Sequence, residues 1–249
     1  MFWLKAKNLI LDSIFPIYCI SCGDFLSSEK NSYLCSKCLA KIPINSGLFC
    51  PICFKRLDRA ENKKCSHSAK KSFLDFLGYA TYYEITPVKT LIHNYKYRFA
   101  KSIARTLSDI IIIYLKRSLN DWNNWVIIPI PLHRSRLNWR GFNQAEEIAK
   151  IINQKFNWPI LNGILIRKKK TAEQAEIKKR EKRQENLKDA FGLSPVKNSN
   201  NKSSSTQIIE GKKIILLDDV YTTGTTLEEA AKILKSAGAK KIIGLVIAK

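Results

Sequence analysis

Apolar residues fall into a few short unbroken runs, separated by segments with helical periodicity. The run at 214–217 shows no polar alternation, which is typical of a strand covered on both faces of a parallel sheet. The other predicted strands are 76–83, 126–131, 161–166 and 241–248. The predicted helices are 86–97, 101–116, 145–156 and 172–187. Strands that alternate with helices indicate an α/β fold with an open parallel sheet.

Polar residues suited to ligand binding follow the strand at 214–217. Asp218 and Asp219 stand where that strand should end, and residues 222–226 form a small, hydroxyl-rich loop. Thr226 and Glu229 have the spacing of a capping box, which predicts a helix N-terminus at this loop. Such a loop suits a phosphate, and the two carboxylates suit sugar hydroxyls or ligand-bound Mg²⁺. The alternative is an ordinary strand–turn–helix with capping threonines.

A second strand-to-helix junction follows the predicted strand at 126–131 and is rich in arginine. Its guanidinium groups match the charge of a polyphosphate. The candidates are Arg134, Arg136 and Arg140. His133 is either a proton donor or a structural loop residue. The aromatic and basic stretch 95–99 either covers a ligand pocket, stacks a base or simply ends an amphipathic helix.

The chain is strongly basic. It has 249 residues, enough for one α/β domain and a small module, and 43 Lys+Arg against 21 Asp+Glu give a net charge of +22. This charge predicts attraction to polyanions, with a solvated basic surface as the alternative. Segment 167–190 is predicted to be a solvated helix, a lid over the ligand site or a nucleic-acid contact. The candidate nucleic-acid residues are Lys168, Lys169, Lys170, Lys178 and Lys179.

Cysteines occur only near the N-terminus, as repeated CxxC pairs. This spacing is typical of zinc ribbons, and two closed structural sites need eight ligands. The candidate ligands are Cys19, Cys22, Cys35, Cys38, Cys50, Cys53, Cys65 and His67. Sequential pairing, with the first four on one Zn²⁺ and the last four on another, is the simplest arrangement, and interleaved pairing stays open. A disulfide framework is disfavoured because residues 1–16 lack an export signal.

These features predict two domains. Residues 1–70 form a double zinc-ribbon-like module and residues 71–249 the α/β domain, with a disordered insertion at 194–207 rich in Ser and Asn. The longest apolar run, 110–115, is far shorter than the roughly 20 residues of a membrane span. We therefore expect a cytoplasmic protein without a membrane span.

Taken in order, the motifs resemble the ComF family. They are the CxxC series, Tyr95-Lys96-Tyr97, Pro129-Ile130-Pro131-Leu132, Arg140-Gly141-Phe142-Asn143-Gln144, Arg167 with Thr171-x2-Gln174, Arg183-x2-Asn186, and Leu217-Asp218-Asp219-Val220-Tyr221-Thr222-Thr223-Gly224. The last motif also resembles the loop of type I phosphoribosyltransferases that binds phosphoribosyl pyrophosphate (PRPP). The resemblance implies a type I phosphoribosyltransferase-like open parallel sheet with a small N-terminal zinc-ribbon module.

The resemblance also implies roles for individual residues. Asp218 and Asp219 would bond the ribose hydroxyls, and the three arginines would stabilise the departing pyrophosphate. The implied PRPP contacts are Pro131, Asp218, Asp219, Val220, Tyr221, Thr222, Thr223, Gly224, Thr225 and Thr226. The implied reaction displaces pyrophosphate from C1 of PRPP with Mg²⁺ present, toward an acceptor that the sequence does not identify.

The family is associated with DNA uptake in competence, which implies single-stranded DNA and a competence-machinery protein as partners. The alternative is a protein without catalytic activity that binds nucleic acid and uses the fold as a phosphate-binding scaffold.

Overall fold

The computed structural model describes residues 16–26, 32–57, 65, 72–97, 101–118, 123–168, 190–195 and 204–249. The strands are β1 (Ile17–Tyr18), β2 (Phe25–Leu26), β3 (Leu48–Phe49), β4 (Arg56–Leu57), β5 (Phe76–Thr81), β6 (Trp125–Pro129), β7 (Leu165–Arg167), β8 (Phe191–Leu193), β9 (Lys213–Val220) and β10 (Lys241–Ala248). The helices are α1 (Ser36–Ala40), α2 (Thr86–Tyr97), α3 (Ile103–Ser118), α4 (Arg134–Arg140), α5 (Gln144–Phe156), α6 (Ser205–Ile209) and α7 (Thr225–Ser236).

A six-stranded sheet organises the α/β part of the chain, in the order β4-β3-β5-β10-β9-β6. Strands β5, β10, β9 and β6 are parallel, as the unbroken apolar runs predict. The predicted strand at 161–166 is wrong in its bounds, because a turn at Asn162 and Gly163 delays β7 until Leu165. Gly163 has φ +74°, a conformation that favours glycine.

Helices cover both faces of this sheet. Ile215 and Leu217 of β9 lie in one apolar cluster with buried residues of α2, α3 and α5. Ile214 and Leu216 point to the other face and lie in a second cluster with buried residues of α7. The absence of polar alternation in β9 follows from this burial on both sides. Among the helices that the structure describes, none is long and apolar enough to cross a lipid bilayer.

The cysteine-rich segment is built into the same sheet. Strand β3 pairs antiparallel with β5 through Phe49 and Leu77, so the complete sheet is mixed. The hydroxyl of Tyr114 in α3 donates to the carbonyl of Gly47 at 2.5 Å. Cys19 belongs to the apolar cluster formed with α2, α3 and α5. The N-terminal segment therefore completes the core of the α/β domain.

The segment expected to be disordered is partly ordered. Ser204 caps α6 in a capping box with Gln207, and the backbone N–H of Ser194 donates to Ile164 at 2.8 Å. The expectation of disorder is therefore wrong at residues 194 and 204–207, where local caps and β7–β8 pairing supply hydrogen bonds. Residues 196–203 lie outside the described part of the chain.

Phe49 provides a test of this shared core. Its side chain is 7% exposed, and its ring centroid lies 4.3 Å from that of Tyr79. Phe49→Ala should lower the free energy of unfolding by about 3–5 kcal/mol, because a large buried ring leaves a cavity. Urea unfolding measures this loss. Phe25→Ala is the matched control, because Phe25 is 54% exposed. Equal losses in the two variants would contradict a shared core.

Candidate functional site

Two adjacent carboxylates lie at the carboxyl end of β9. Strand β9 extends to Val220, so Asp218 and Asp219 are inside the strand rather than after its end. Both residues are partly buried, and the Asp219 N–H donates to Oδ1 of Asp218 at 2.8 Å. The backbone of β9 continues past them because Ala248 of β10 still pairs with Val220.

Cations from two other elements face these carboxylates. The Lys96 ammonium of α2 lies 2.8 Å from Oδ1 of Asp219. Burial alone would lower the pKa of Lys96, but the contact with Asp219 raises it above its ordinary value. Burial and repulsion from Arg136 lower the pKa of Arg167 to about 10, against the attraction of Asp218. Lys96 therefore contacts the acid pair directly, and Arg167 interacts with it electrostatically.

The fold opposes the ionisation of Asp218. Burial, followed by repulsion from Asp219, raises the pKa of Asp218 to about 7. Lys96, the N–H of Asp219 and Arg167 act in the opposite direction. A carboxylate held this way gains most from a cationic ligand, because the ligand relieves the repulsion within the pair.

The hydroxyl-rich loop leads into α7, and the N-cap residue of that helix is Gly224, with φ +80°. The predicted capping box is wrong, because Thr226 is already inside the helix and glycine has no side chain that accepts a hydrogen bond. Instead, the hydroxyls of Thr223 and Thr225 form a hydrogen bond, with 2.9 Å between their oxygen atoms. The first-turn N–H groups of α7 and these hydroxyls form a cradle suited to a phosphate.

The two residues between the acids and the loop are packed inside the protein. Val220 is buried, and so is Tyr221. The Tyr221 hydroxyl donates to the carbonyl of Pro51 at 3.1 Å. Its ring meets Phe54 edge-on, with 5.8 Å between ring centroids. Tyr221 therefore contacts the cysteine-rich segment.

The arginine-rich junction folds as helix α4. His133 is its N-cap, with Nδ1 accepting from the Ser135 N–H at 3.3 Å, which supports the structural interpretation of this histidine. Arg140 is buried, and its guanidinium carbon lies 5.8 Å from the Trp139 ring centroid. Arg136 is half-buried, and its positive charge helps to lower the pKa of Arg167.

A cavity of about 550 Å³ lies between α4 and β7. Its walls include Pro131, Arg134 and Arg167, together with apolar side chains such as Leu137 and Leu165. The acid pair and the threonine loop do not line this cavity. Arg167 connects the two regions, because it lines the cavity and interacts electrostatically with Asp218.

The aromatic stretch at the end of α2 is mostly structural. Tyr95 is fully buried, and its hydroxyl donates to the Gln144 carbonyl at 3.0 Å. Tyr97 lies between His93 and Trp139, with ring centroids 4.8 and 6.5 Å away. Arg98 and Phe99 lie outside the described residues. The main contribution of this stretch to the site is Lys96, which sequence patterns did not single out as a charge partner.

The cysteines gather into two clusters that match sequential pairing. In each cluster the sulfur atoms lie within 4.8 Å of one another. The first holds Cys19, Cys22, Cys35 and Cys38, and the second holds Cys50, Cys53 and Cys65. The four thiolates of the first cluster fit tetrahedral Zn²⁺, and the three thiolates of the second cluster need a fourth ligand to complete the same geometry. His67, the predicted fourth ligand, lies outside the described residues.

Of the lysines predicted to contact nucleic acid, the described part of the chain includes Lys168. It is exposed beside β8, and its backbone N–H donates to the Ala190 carbonyl at 2.7 Å. Lys169, Lys170, Lys178 and Lys179 lie outside the described residues, as does most of segment 167–190.

Comparison with known proteins agrees with both parts of this architecture. Residues 100–249 match the phosphoribosyl transferase domain family, and residues 10–75 match the double zinc ribbon domain. The fold and site therefore define a phosphoribosyltransferase-type domain with an N-terminal zinc ribbon.

Competence protein F of Haemophilus influenzae is 32% identical over 234 residues, covering 92% of this chain and 96% of the relative. The chain belongs to the ComF family. Competence protein ComFC of Bacillus subtilis is 26% identical and covers 90% of this chain and 91% of its own length. DNA utilization protein YhgH of Escherichia coli is 29% identical, covering 63% of this chain and 64% of its own.

The two carboxylates should respond differently to neutralisation. Burial raises the pKa of folded Asp218 to about 7, whereas the pKa of an unfolded aspartate is about 3.9. The unfavourable burial of its charge therefore lowers stability as the pH rises from about 4 to 7. Asp218→Asn should raise the melting temperature at pH 8, and the gain should shrink by pH 5.

Asp219→Asn should instead lower the melting temperature, because partly buried Lys96 loses its carboxylate partner. Thermal melts of both variants at pH 5 and pH 8 check these expectations. Stabilisation by Asp219→Asn at pH 8 would contradict the importance of the Lys96 contact.

Proposed function

We propose that this protein binds PRPP together with Mg²⁺ at the carboxyl end of β9. The observation that carries the proposal is the acid pair followed by a threonine loop at the N-terminus of α7, in a chain with a phosphoribosyl transferase domain. Asp218 and Asp219 accept hydrogen bonds from the ribose hydroxyls. The hydroxyls and backbone N–H groups of residues 222–226 hold the 5-phosphate.

The arginines differ in how accessible they are to the pyrophosphate group. Arg134 is exposed and Arg136 is half-buried, so both are available to the pyrophosphate group. Arg140 is buried with its guanidinium beside the Trp139 ring, so it is less accessible to the pyrophosphate group. Arg167 adds positive charge between the acid pair and the cavity. Positive groups fixed before the ligand arrives need no reorganisation as charge develops on the departing pyrophosphate.

The proposed reaction is a transfer from C1 of ribose. The bond from C1 to the pyrophosphate oxygen breaks, the pyrophosphate leaves with the electron pair, and an acceptor nucleophile forms the new bond to C1. Bound Mg²⁺ would neutralise negative charge on the pyrophosphate. Release of pyrophosphate when an acceptor is added distinguishes an enzyme from a phosphate-binding scaffold, the alternative function.

We also propose that the protein acts on single-stranded DNA in the cytoplasm, with a competence-machinery protein as partner. Support comes from the net charge of +22 and from relatives named for competence and DNA utilization. The proposed metal content is two structural Zn²⁺ per chain, with His67 completing the second site.

Binding of PRPP is tested by thermal shift. Mg²⁺ and PRPP at 100 times the dissociation constant should stabilise the wild type by about 2.7 kcal/mol. The variant with Asp218→Asn and Asp219→Asn should lose most of this shift, because neutral amides bind Mg²⁺ and ribose hydroxyls less strongly. Asp109→Asn is the matched control, since it removes one carboxylate paired with Arg105 on α3. An unshifted wild type, or a shift that survives in the double variant, would contradict the proposal.

Binding of single-stranded DNA is tested by its salt dependence. Affinity should fall steeply with salt, with a slope of about 0.7 per neutralised phosphate and little sequence preference. Replacing Lys168, Lys169, Lys170, Lys178 and Lys179 by Gln should flatten the slope, as measured by fluorescence anisotropy. The control replaces five exposed lysines elsewhere: Lys116, Lys155, Lys212, Lys232 and Lys240. Equal slopes in both variants would place the contacts on another surface.

A further inference from the structure

We infer that Tyr221 is a positioning residue that couples the phosphate-binding loop to the second cysteine cluster. Through this contact, the conformation of the loop at residues 222–226 depends on the CxxC turn at residues 50–53. The inference rests on the proposed function for its effect on PRPP affinity. The coupling itself also has a readout that needs no ligand.

On the loop side, the Tyr221 side chain fills the space next to Gly224. A Cβ atom added at Gly224 would lie only 2.1 Å from the Tyr221 hydroxyl oxygen and 2.4 Å from its Cζ. The Tyr221 ring therefore packs directly against the turn that starts α7. The Tyr221 N–H donates to the Ala248 carbonyl at 2.9 Å, which holds its backbone to β10. A shift of the ring would disturb the turn that presents the N–H groups of α7.

On the cluster side, the contact reaches the metal-binding turn itself. The Tyr221 hydroxyl donates to the carbonyl of Pro51, which stands between the ligand candidates Cys50 and Cys53. Phe54 follows the turn with φ +59° and supports the Tyr221 ring edge-on. Its N–H donates to the Cys50 carbonyl at 3.0 Å. The acceptor for Tyr221 is therefore placed by the same turn that aims two thiolates at one metal.

The two cysteine clusters differ in their neighbours. The first cluster contacts the body of the domain near α3, where the Tyr33 N–H donates to the Thr106 hydroxyl at 2.9 Å. The second cluster contacts the phosphate-binding loop through Pro51 and Tyr221. Loss of metal at the second cluster should therefore loosen the loop, because an unanchored CxxC turn no longer fixes the acceptor. A loop that is not pre-organised binds more weakly, since binding must then order it.

The experiment removes the hydroxyl and keeps the ring. Tyr221→Phe should retain the zinc content of the wild type. Its affinity for Mg²⁺ and PRPP, measured by isothermal titration calorimetry, should fall by about three- to tenfold, as expected for one lost hydrogen bond. Without ligand, hydrogen exchange at residues 222–226 should be faster in Tyr221→Phe than in the wild type. Tyr18→Phe, at a tyrosine that is 55% exposed, should change neither quantity.

A pair of cysteine variants tests which of the two cysteine clusters is coupled to the loop. Cys53→Ser and Cys22→Ser each remove one exposed ligand candidate, from the second and the first cluster respectively. Metal analysis should show loss of zinc in both. Hydrogen exchange at residues 222–226 should increase more in Cys53→Ser than in Cys22→Ser. Equal increases would overturn the assignment to the second cluster.

The outcomes separate this inference from the proposed function. Unchanged loop exchange in Tyr221→Phe overturns the coupling, whether or not PRPP binds. A wild type that does not bind PRPP overturns the proposed function, and faster loop exchange in Tyr221→Phe still supports the coupling. A purely space-filling Tyr221 would tolerate phenylalanine without change in either measurement.

Discussion

The electrostatics of two adjacent carboxylates at the end of a central strand constrain the whole site. Asp218 and Asp219 repel each other in a partly buried position, where water screens their charge poorly. The fold offsets this repulsion with Lys96 from α2 and Arg167 from β7, which are distant in sequence from β9. Helix α2 and the paired strands β7 and β8 must therefore pack correctly before the acid pair reaches its final charge state. The stability of the fold and the proposed ligand binding therefore depend on the same four side chains.

Sequence patterns predicted what depends on local order. The apolar run at 214–217 identified β9, and helical periodicity identified α2 with its exact bounds, because burial on both faces or on one stripe leaves a periodic signal. The cysteine spacing likewise predicted both clusters. The contact between Lys96 and Asp219 joins residues far apart in the chain, and no local pattern records it. The predicted capping box is wrong because the N-cap of α7 is Gly224, with its positive φ, two residues before Thr226.

The cysteine-rich segment was expected as a separate module, and its sequence gave no sign of its pairing with the sheet. Strands β3 and β4 have two residues each, too few for a detectable alternation. Their effect is nevertheless large, because β3 covers the edge of β5 that would otherwise present unpaired N–H and C=O groups. Metal binding and sheet formation thereby stabilise the same edge. In this chain the cysteine-rich segment therefore supplies a covered sheet edge together with the cysteine clusters.

The position of β10 has a consequence for how the chain folds during synthesis. This strand follows all the other described strands in the chain, yet it lies between β5 and β9 in the sheet. Strands β5 and β9 thus have no common partner until residues 241–248 have left the ribosome. Until then β5 and β9 each have one edge with unpaired backbone N–H and C=O groups, which favours association with other chains. Translation rate and chaperone access should consequently affect the yield of native protein.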